Sequence, residues 1–421
     1  MKHLILLSLA LGTLGIGCKG EVAIGADEPG ALAPMNSPAP TQTPEPQTNP
    51  TPLPEQPETP EQPENTAPLR VEPPELSPED ATFYMRSLVQ MLVGRPLESA
   101  EVNALQAQGS EAIRPMLEAW TKEPGFARSA RYLMAQKLKA SGERDGVDFE
   151  APGRLVEYVV NSGLPFSTII TADYCIAADG TQTTCDSGAP YNAGVLTTRA
   201  FLAGNAGRFN LGRATRLMKV FACRAYPMES DLQPYLEKEV LIPMFRASTA
   251  EEQTVEEAKD AFGNGSACYS CHGQFGAHAQ FFVKFDQTGL WRAEATGLQD
   301  PEGELGRSFG GLMTSHMDDE SAAAFEGSKM FGQDVPDIRG AAQVLSESDV
   351  FVPCMARNVI EYTFGMTDTA AGKIARDMLE QVAWRATKGQ TQDPTWADIV
   401  VETFVEPRVI QVVLSSQGDV Q

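Results

Sequence analysis

Thirteen prolines fall between Pro38 and Pro74, and no globular core can be built across them. Proline fixes φ and carries no amide donor, so a stretch this dense in it supports neither a helix nor a sheet ladder. The residues between are mainly Thr, Gln and Glu, which bury almost nothing. Residues 26–76 are therefore expected to stay extended and polyproline-like, as a stalk or passive spacer. The folded body must begin near Ser77. From there to the C-terminus the chain has roughly 345 residues, enough for two or three helical subdomains with real cores.

Ahead of the stalk stand Lys2, an apolar run from Leu4 to Ile16 broken by small residues, and Gly17-Cys18. This is the pattern of a secretory signal peptide, shorter than the roughly 20 apolar residues a membrane span needs. Leu14-Gly15-Ile16-Gly17 before Cys18 resembles a lipoprotein box, with Gly15 where a branched aliphatic is usual. It predicts lipidation of Cys18. The alternative is an ordinary signal cut nearby, leaving an exported protein with a free thiol. The expected organisation is a signal peptide over 1–18, a linker over 19–76, a helical module over 77–141, a mixed but mostly helical module over 142–225, and a last region over 226–421. The chain is expected to be exported and lipid-anchored, facing the periplasm or cell surface of a Gram-negative bacterium. A net charge of −23 with no basic patch argues against nucleic-acid binding.

The body reads as mainly α. Ser77-Pro78-Glu79-Asp80 is a helix start: a hydroxyl cap, proline at the first position and early acids. Phe83, Leu88, Met91 and Leu92 continue it at helical spacing, and Gly94-Arg95-Pro96 ends it. A second helix carries Val102 and Leu105, and Gly109 stops it. A third carries Ile113, Met116, Leu117 and Trp120, and a fourth runs from Phe126 to Leu138. This predicts an N-terminal bundle with short connections. Further helices are expected over 154–160, toward Ala172, over 211–225 and over 254–262. Beyond these, helices are expected over 338–345, 350–364, 369–386 and 396–405. Residues 177–192 and 297–334 read as loops, the latter with one short helix.

Cys268-Tyr269-Ser270-Cys271-His272 has the attachment spacing of a c-type haem. Two thiols at this spacing add to the vinyl groups, and the histidine reaches the iron as proximal ligand. A zinc site would need about four ligands, and no second cysteine pair is available. A thioredoxin-like dithiol would need a βαβ setting that the flanks lack. With Cys18 assigned to lipid and Cys268 and Cys271 to haem, Cys175, Cys185, Cys223 and Cys354 remain. That is an even number in an oxidising compartment. Three pairings are possible. The favoured one joins Cys175 to Cys185 around a small loop and Cys223 to Cys354 across a long one. In the alternative Cys223 and Cys354 are buried thiols.

Several segments in order resemble a family of secreted, haem-c-associated proteins of planctomycetes, verrucomicrobia and myxobacteria. They are Gly94-Arg95-Pro96-Leu97 through Trp120 with Phe126-Ala127-Arg128, then Leu155 to Val160 with Ile169 to Tyr174. Gly194 to Thr198 with Ala200-Phe201-Leu202 come next. The haem motif with Phe285-Asp286 and Gly289-Leu290-Trp291-Arg292, Phe351 to Cys354 with Arg357, Tyr362 and Gly365, and Trp396 to Ile399 complete the series. The resemblance covers nearly all of the body. It implies a mainly helical extracytoplasmic protein bearing haem, and it supplies no substrate. The chain departs from the family at Gly276 to Gln280 and in an acidic insertion around residues 310–329.

These readings predict a cytochrome-c-like helical haem region with one covalent haem c. The distal ligand is expected among the later methionines, with Met313 and Met330 favoured over His316 and Met317. Arg292 and Arg339 are candidates for the haem propionates or for ordinary salt bridges. Trp291, Phe281, Phe282 and Phe285 either wall the haem or fill the core. The function expected first is electron transfer with an unknown redox partner. The alternatives are a haem-linked oxidoreductase with an unknown substrate and a scaffold lipoprotein with a structural haem.

Overall fold

The computed structural model describes residues 70–140, 146–207, 210–226, 275–293, 326–365 and 374–415. Cys18, the signal peptide, most of the stalk, Cys268, Cys271, His272, Met313 and the helix expected over 254–262 lie outside them. The described residues are mainly helical. Helix α1 spans Pro78–Leu92, α2 Ser99–Gln108, α3 Ile113–Trp120, α4 Pro124–Leu138 and α5 Ala151–Asn161. Then come α6 (Thr168–Thr171), α7 (Arg199–Gly204) and α8 (Leu211–Phe221). The C-terminal part holds α9 (Ile338–Ser346), α10 (Phe351–Phe364), α11 (Arg376–Ala386), α12 (Trp396–Phe404) and α13 (Pro407–Ser415).

The first helix starts for the expected reason. The Ser77 hydroxyl accepts from the Asp80 amide at 3.1 Å, satisfying one of the orphan donors of the first turn, with proline at N1. Helix α4 begins two residues before the expected Phe126, because Pro124 opens it rather than breaking the preceding turn. Gly125 lies so close to α1 that a Cβ there would stand 2.0 Å from the Val93 carbonyl oxygen.

Residues of all three body segments enter one hydrophobic cluster. Helix α4 lies along α5, while α10 packs on α8, α11, α12 and α1, and α12 packs on α3. The Tyr84 hydroxyl donates to the Phe404 carbonyl at 2.9 Å. The Phe166 ring meets Trp396 with centroids 4.4 Å apart and planes tilted by 32°. Arg114 of α3 pairs with Glu402 of α12 at 2.8 Å, and Arg385 of α11 reaches Glu402 at 3.2 Å and Glu406 at 2.6 Å. Within the segment assigned to the linker, residues 70–76 lie along the body. Val71 and Leu76 pack against the core, and the Val71 carbonyl accepts from Arg114 at 2.7 Å.

Two short antiparallel hairpins sit in regions read as loop. Strands β1 (Cys175–Ile176) and β2 (Gln182–Thr183) pair, as do β3 (Ser328–Met330) and β4 (Gln333–Val335). Both expected disulfides are present, Cys175–Cys185 and Cys223–Cys354. The first closes the β1–β2 hairpin. The second ties the residue just past α8 to the first turn of α10, beside the stacked rings of Phe221 and Phe351.

Candidate functional site

The described chain resumes at residue 275, three positions past His272, and residues 275–279 are helical. The described residues nearest the Cys268–His272 motif on its C-terminal side are thus this short helix. Phe275 and Ala279 pack on Ala214 of α8 and on Tyr226, with the Phe275 and Tyr226 rings 5.8 Å apart. His278 is fully buried, and its Nδ1 shares a hydrogen bond with the Tyr226 hydroxyl. Burial, aided by the nearby Arg224 charge, pushes the His278 pKa down to about 3. His278 is thus neutral, and its hydrogen bond to Tyr226 ties the helix at 275–279 to the segment just past α8.

That depression has a sign in solution. The unfolded histidine takes a proton near pH 6.5, whereas the folded one resists until about 3. The stabilisation is complete above about 6.5 and is lost as pH falls between the two values, by up to about 1.4 kcal/mol per pH unit. Urea unfolding at pH 7 and pH 5 should show a smaller acid loss for His278→Gln than for the wild type. Equal losses would remove this role.

The chain then turns through 280–282, a single 3₁₀ turn, into the Phe-Asp pair. Phe281, Phe282 and Phe285 are fully buried in the main core, and Phe282 meets Phe201 at 6.2 Å. Arg213 of α8 holds this segment. It is fully buried and donates to the carbonyls of Leu202 at 2.9 Å, Phe285 at 2.7 Å and Asp286, and to Asn210 Oδ1 at 3.0 Å. Arg213→Met would strand three buried carbonyls and is expected to cost about 3–5 kcal/mol in urea unfolding. Arg213→Lys should recover little of this, because an ammonium lacks the planar fork. A loss below about 1 kcal/mol would show that the clamp is dispensable.

The Asp286 carboxylate organises the next turn. It accepts from the Thr288 amide at 2.8 Å, the Thr288 hydroxyl at 2.7 Å and the Leu290 amide at 3.1 Å. Arg292 closes on its other oxygen at 3.0 and 2.5 Å. Burial works to raise this carboxyl, but the donors outweigh it and hold the pKa below the ordinary value. Gly289 has φ +80° at this turn, and a Cβ there would press to 3.0 Å on Arg199 and Leu202. Of the two arginines considered for propionates, Arg292 is thus in an ion pair with Asp286. Arg339 lies 4.0 Å from Asp337 and over the Tyr191 ring at 5.9 Å.

Trp291 leads to a polar cluster that the sequence did not reveal. Its indole donates to Glu326 Oε1 at 3.3 Å, and the Tyr191 hydroxyl donates to the same oxygen at 2.6 Å. Burial raises the Glu326 carboxyl, and burial together with Glu326 raises the Tyr191 phenol. Tyr191 and Glu326 are 135 residues apart in sequence, so no local pattern links them.

Met330, one of the two favoured distal ligands, is fully buried at the end of β3 within the main hydrophobic cluster. The other, Met313, lies outside the described residues, as do Cys268, Cys271 and His272. Among the described residues no group of three or more His, Cys, Asp or Glu is placed to hold a metal. No described helix is long and apolar enough to cross a membrane.

One observation is compatible with a covalent haem. The two disulfides pair Cys175, Cys185, Cys223 and Cys354 with one another, so none of them is a partner for Cys268 or Cys271. No protein-family model matches the chain, and neither a curated protein nor a solved structure shows significant similarity to it.

Proposed function

We propose that this protein carries one haem c on Cys268 and Cys271, with His272 on the iron, and that it transfers single electrons outside the cytoplasm. The observation that carries the reading is the disulfide pattern. The other four cysteines of the body are paired among themselves, and the remaining two stand at haem-attachment spacing before a histidine. The bound haem would supply a one-electron couple at its iron.

The chain's own residues do the positioning. Phe275 and Ala279 seat the helix at 275–279 on α8. Tyr226 holds His278 by its Nδ1, and Arg213 fixes the Phe285-Asp286 turn beyond it. The distal ligand in this reading is Met313 or Met330. The second would require the haem to lie against β3, since Met330 is enclosed there. The ordered segments that resemble the secreted haem-c family support the same reading, and the leader pattern with Cys18 supports a lipid anchor on a membrane.

Reduced-minus-oxidised spectra of the purified protein, with and without carbon monoxide, test it. A covalent haem whose spectrum carbon monoxide leaves unchanged is expected, since both axial positions would be filled. A haem that binds carbon monoxide would overturn the electron-carrier reading in favour of an oxidoreductase. A protein with no covalent haem would overturn both.

A further inference from the structure

Lys137 of α4, Arg216 and Lys219 of α8, Arg224 and Arg357 of α10 line one cavity of about 220 Å³. Among its described lining residues the one carboxylate is Glu361. Such a concentration of cations runs against the rest of a chain whose net charge is −23. Helix geometry explains how it arises. Arg216, Lys219 and Val220 recur at i, i+3 and i+4 on α8, and Arg357 and Glu361 at i and i+4 on α10, so each set shares one face. The Cys223–Cys354 bridge draws the two faces together.

Basic clusters on an open surface are usually solvated and need no ligand. This one is different in its shape and its pairing. The walls include Val220, Cys223 and the buried Asn358. Glu361 is already engaged on both oxygens, by Arg357 at 2.7 Å and Lys137 at 2.5 Å. Arg216 is held by neutral acceptors, Asn205 Oδ1 at 3.2 Å and the Lys137 carbonyl at 2.9 Å. Its Nη2 takes no acceptor among the described residues. Arg224 stacks on the Phe331 ring at 5.4 Å, a contact that orients a guanidinium without neutralising it. Neither Arg216 nor Arg224 has a carboxylate within ion-pairing distance among the described residues. Burial accordingly lowers the Arg216 pKa with nothing opposing it.

We propose that this cavity binds a small multivalent oxyanion, a phosphate group or a compact di- or tricarboxylate, through Arg216 and Arg224 with Lys219, Lys137 and Arg357 around it. Guanidinium groups present paired donors that match such oxygens. The volume sets the size class, since pockets for larger organic ligands run to about 300–1,000 Å³. The proposal does not rest on the haem reading.

Isothermal titration calorimetry of the mature protein with inorganic phosphate, and separately with citrate, tests it in a low-salt buffer with chloride as the monovalent control. Saturable binding of at least one of the two is expected, with chloride producing none. Which of them binds distinguishes the phosphate from the carboxylate form. Arg224→Gln and Arg216→Gln should each weaken binding about tenfold or more, the loss of a charge-assisted hydrogen bond. Glu361→Gln should tighten it, because it removes the competing carboxylate and releases Lys137. A gain in affinity cannot come from a damaged fold. Absence of saturable binding with both anions, or affinities unchanged in Arg224→Gln and Glu361→Gln, would overturn the proposal.

Discussion

Replacing Cys268 and Cys271 together by serine is expected to give a protein with no covalent haem and no haem spectrum. Both thioethers are lost at once, and no other thiol is positioned to replace them, because the remaining body cysteines are tied in Cys175–Cys185 and Cys223–Cys354. The effect is complete loss rather than a shift. Intact mass of wild type and variant measures it directly, the wild type exceeding its chain mass by one haem. His272→Ala should behave differently. The thioethers would remain and the mass would keep the haem, but the iron would lose its proximal ligand and the spectrum would change. A wild-type mass without haem would end the proposal whatever the variants do. The helix at 275–279 should stay docked in the serine variant, since Phe275, Ala279 and His278 make its contacts with α8 and Tyr226.

The second large effect concerns stability. Cys223–Cys354 closes a loop of 131 residues, and in the chain-entropy account a crosslink of that span restricts the unfolded state by about 5 kcal/mol. Cys223→Ser with Cys354→Ser should lower the unfolding free energy by about that amount in urea. The Cys175–Cys185 bridge spans only 10 residues, and its removal should cost about 3 kcal/mol by the same account. The ordering of the two losses is the test. An unchanged urea midpoint for the long-loop variant would mean that the packing of α8 on α10 holds the region without the bridge.

Much of the helical body is legible in the sequence. Ser77 with Pro78 marks α1, and Gly109 closes α2, because caps and breakers act within one turn. Cysteine parity leaves three pairings open, and the favoured one, with its short and long loops, is the one present. Helix α13 lies beyond the expected helices. The last of these ends at Val405, whereas Pro407 serves as the first residue of a new helix. The β3–β4 hairpin is not legible either, because strands of three residues carry no alternation to read. Its turn is built on Phe331 and Gly332, both at positive φ, and Phe331 is a residue seldom found there.

The candidate site divides in the same way. The CxxCH motif is a local pattern, complete within five residues, because haem attachment would need two thiols and an imidazole at fixed spacing. The apolar leader pattern, the proline density and the cysteine count are likewise properties of composition and short-range order, so the chain alone determined them. Tertiary structure alone placed Tyr226 against His278, Arg213 under the Phe285-Asp286 turn and Tyr191 on Glu326. It also gathered Lys137, Arg216, Arg224 and Arg357 around one cavity. Those partners lie tens to hundreds of residues apart, and helical periodicity says only which face of each helix is buried, never which face it meets.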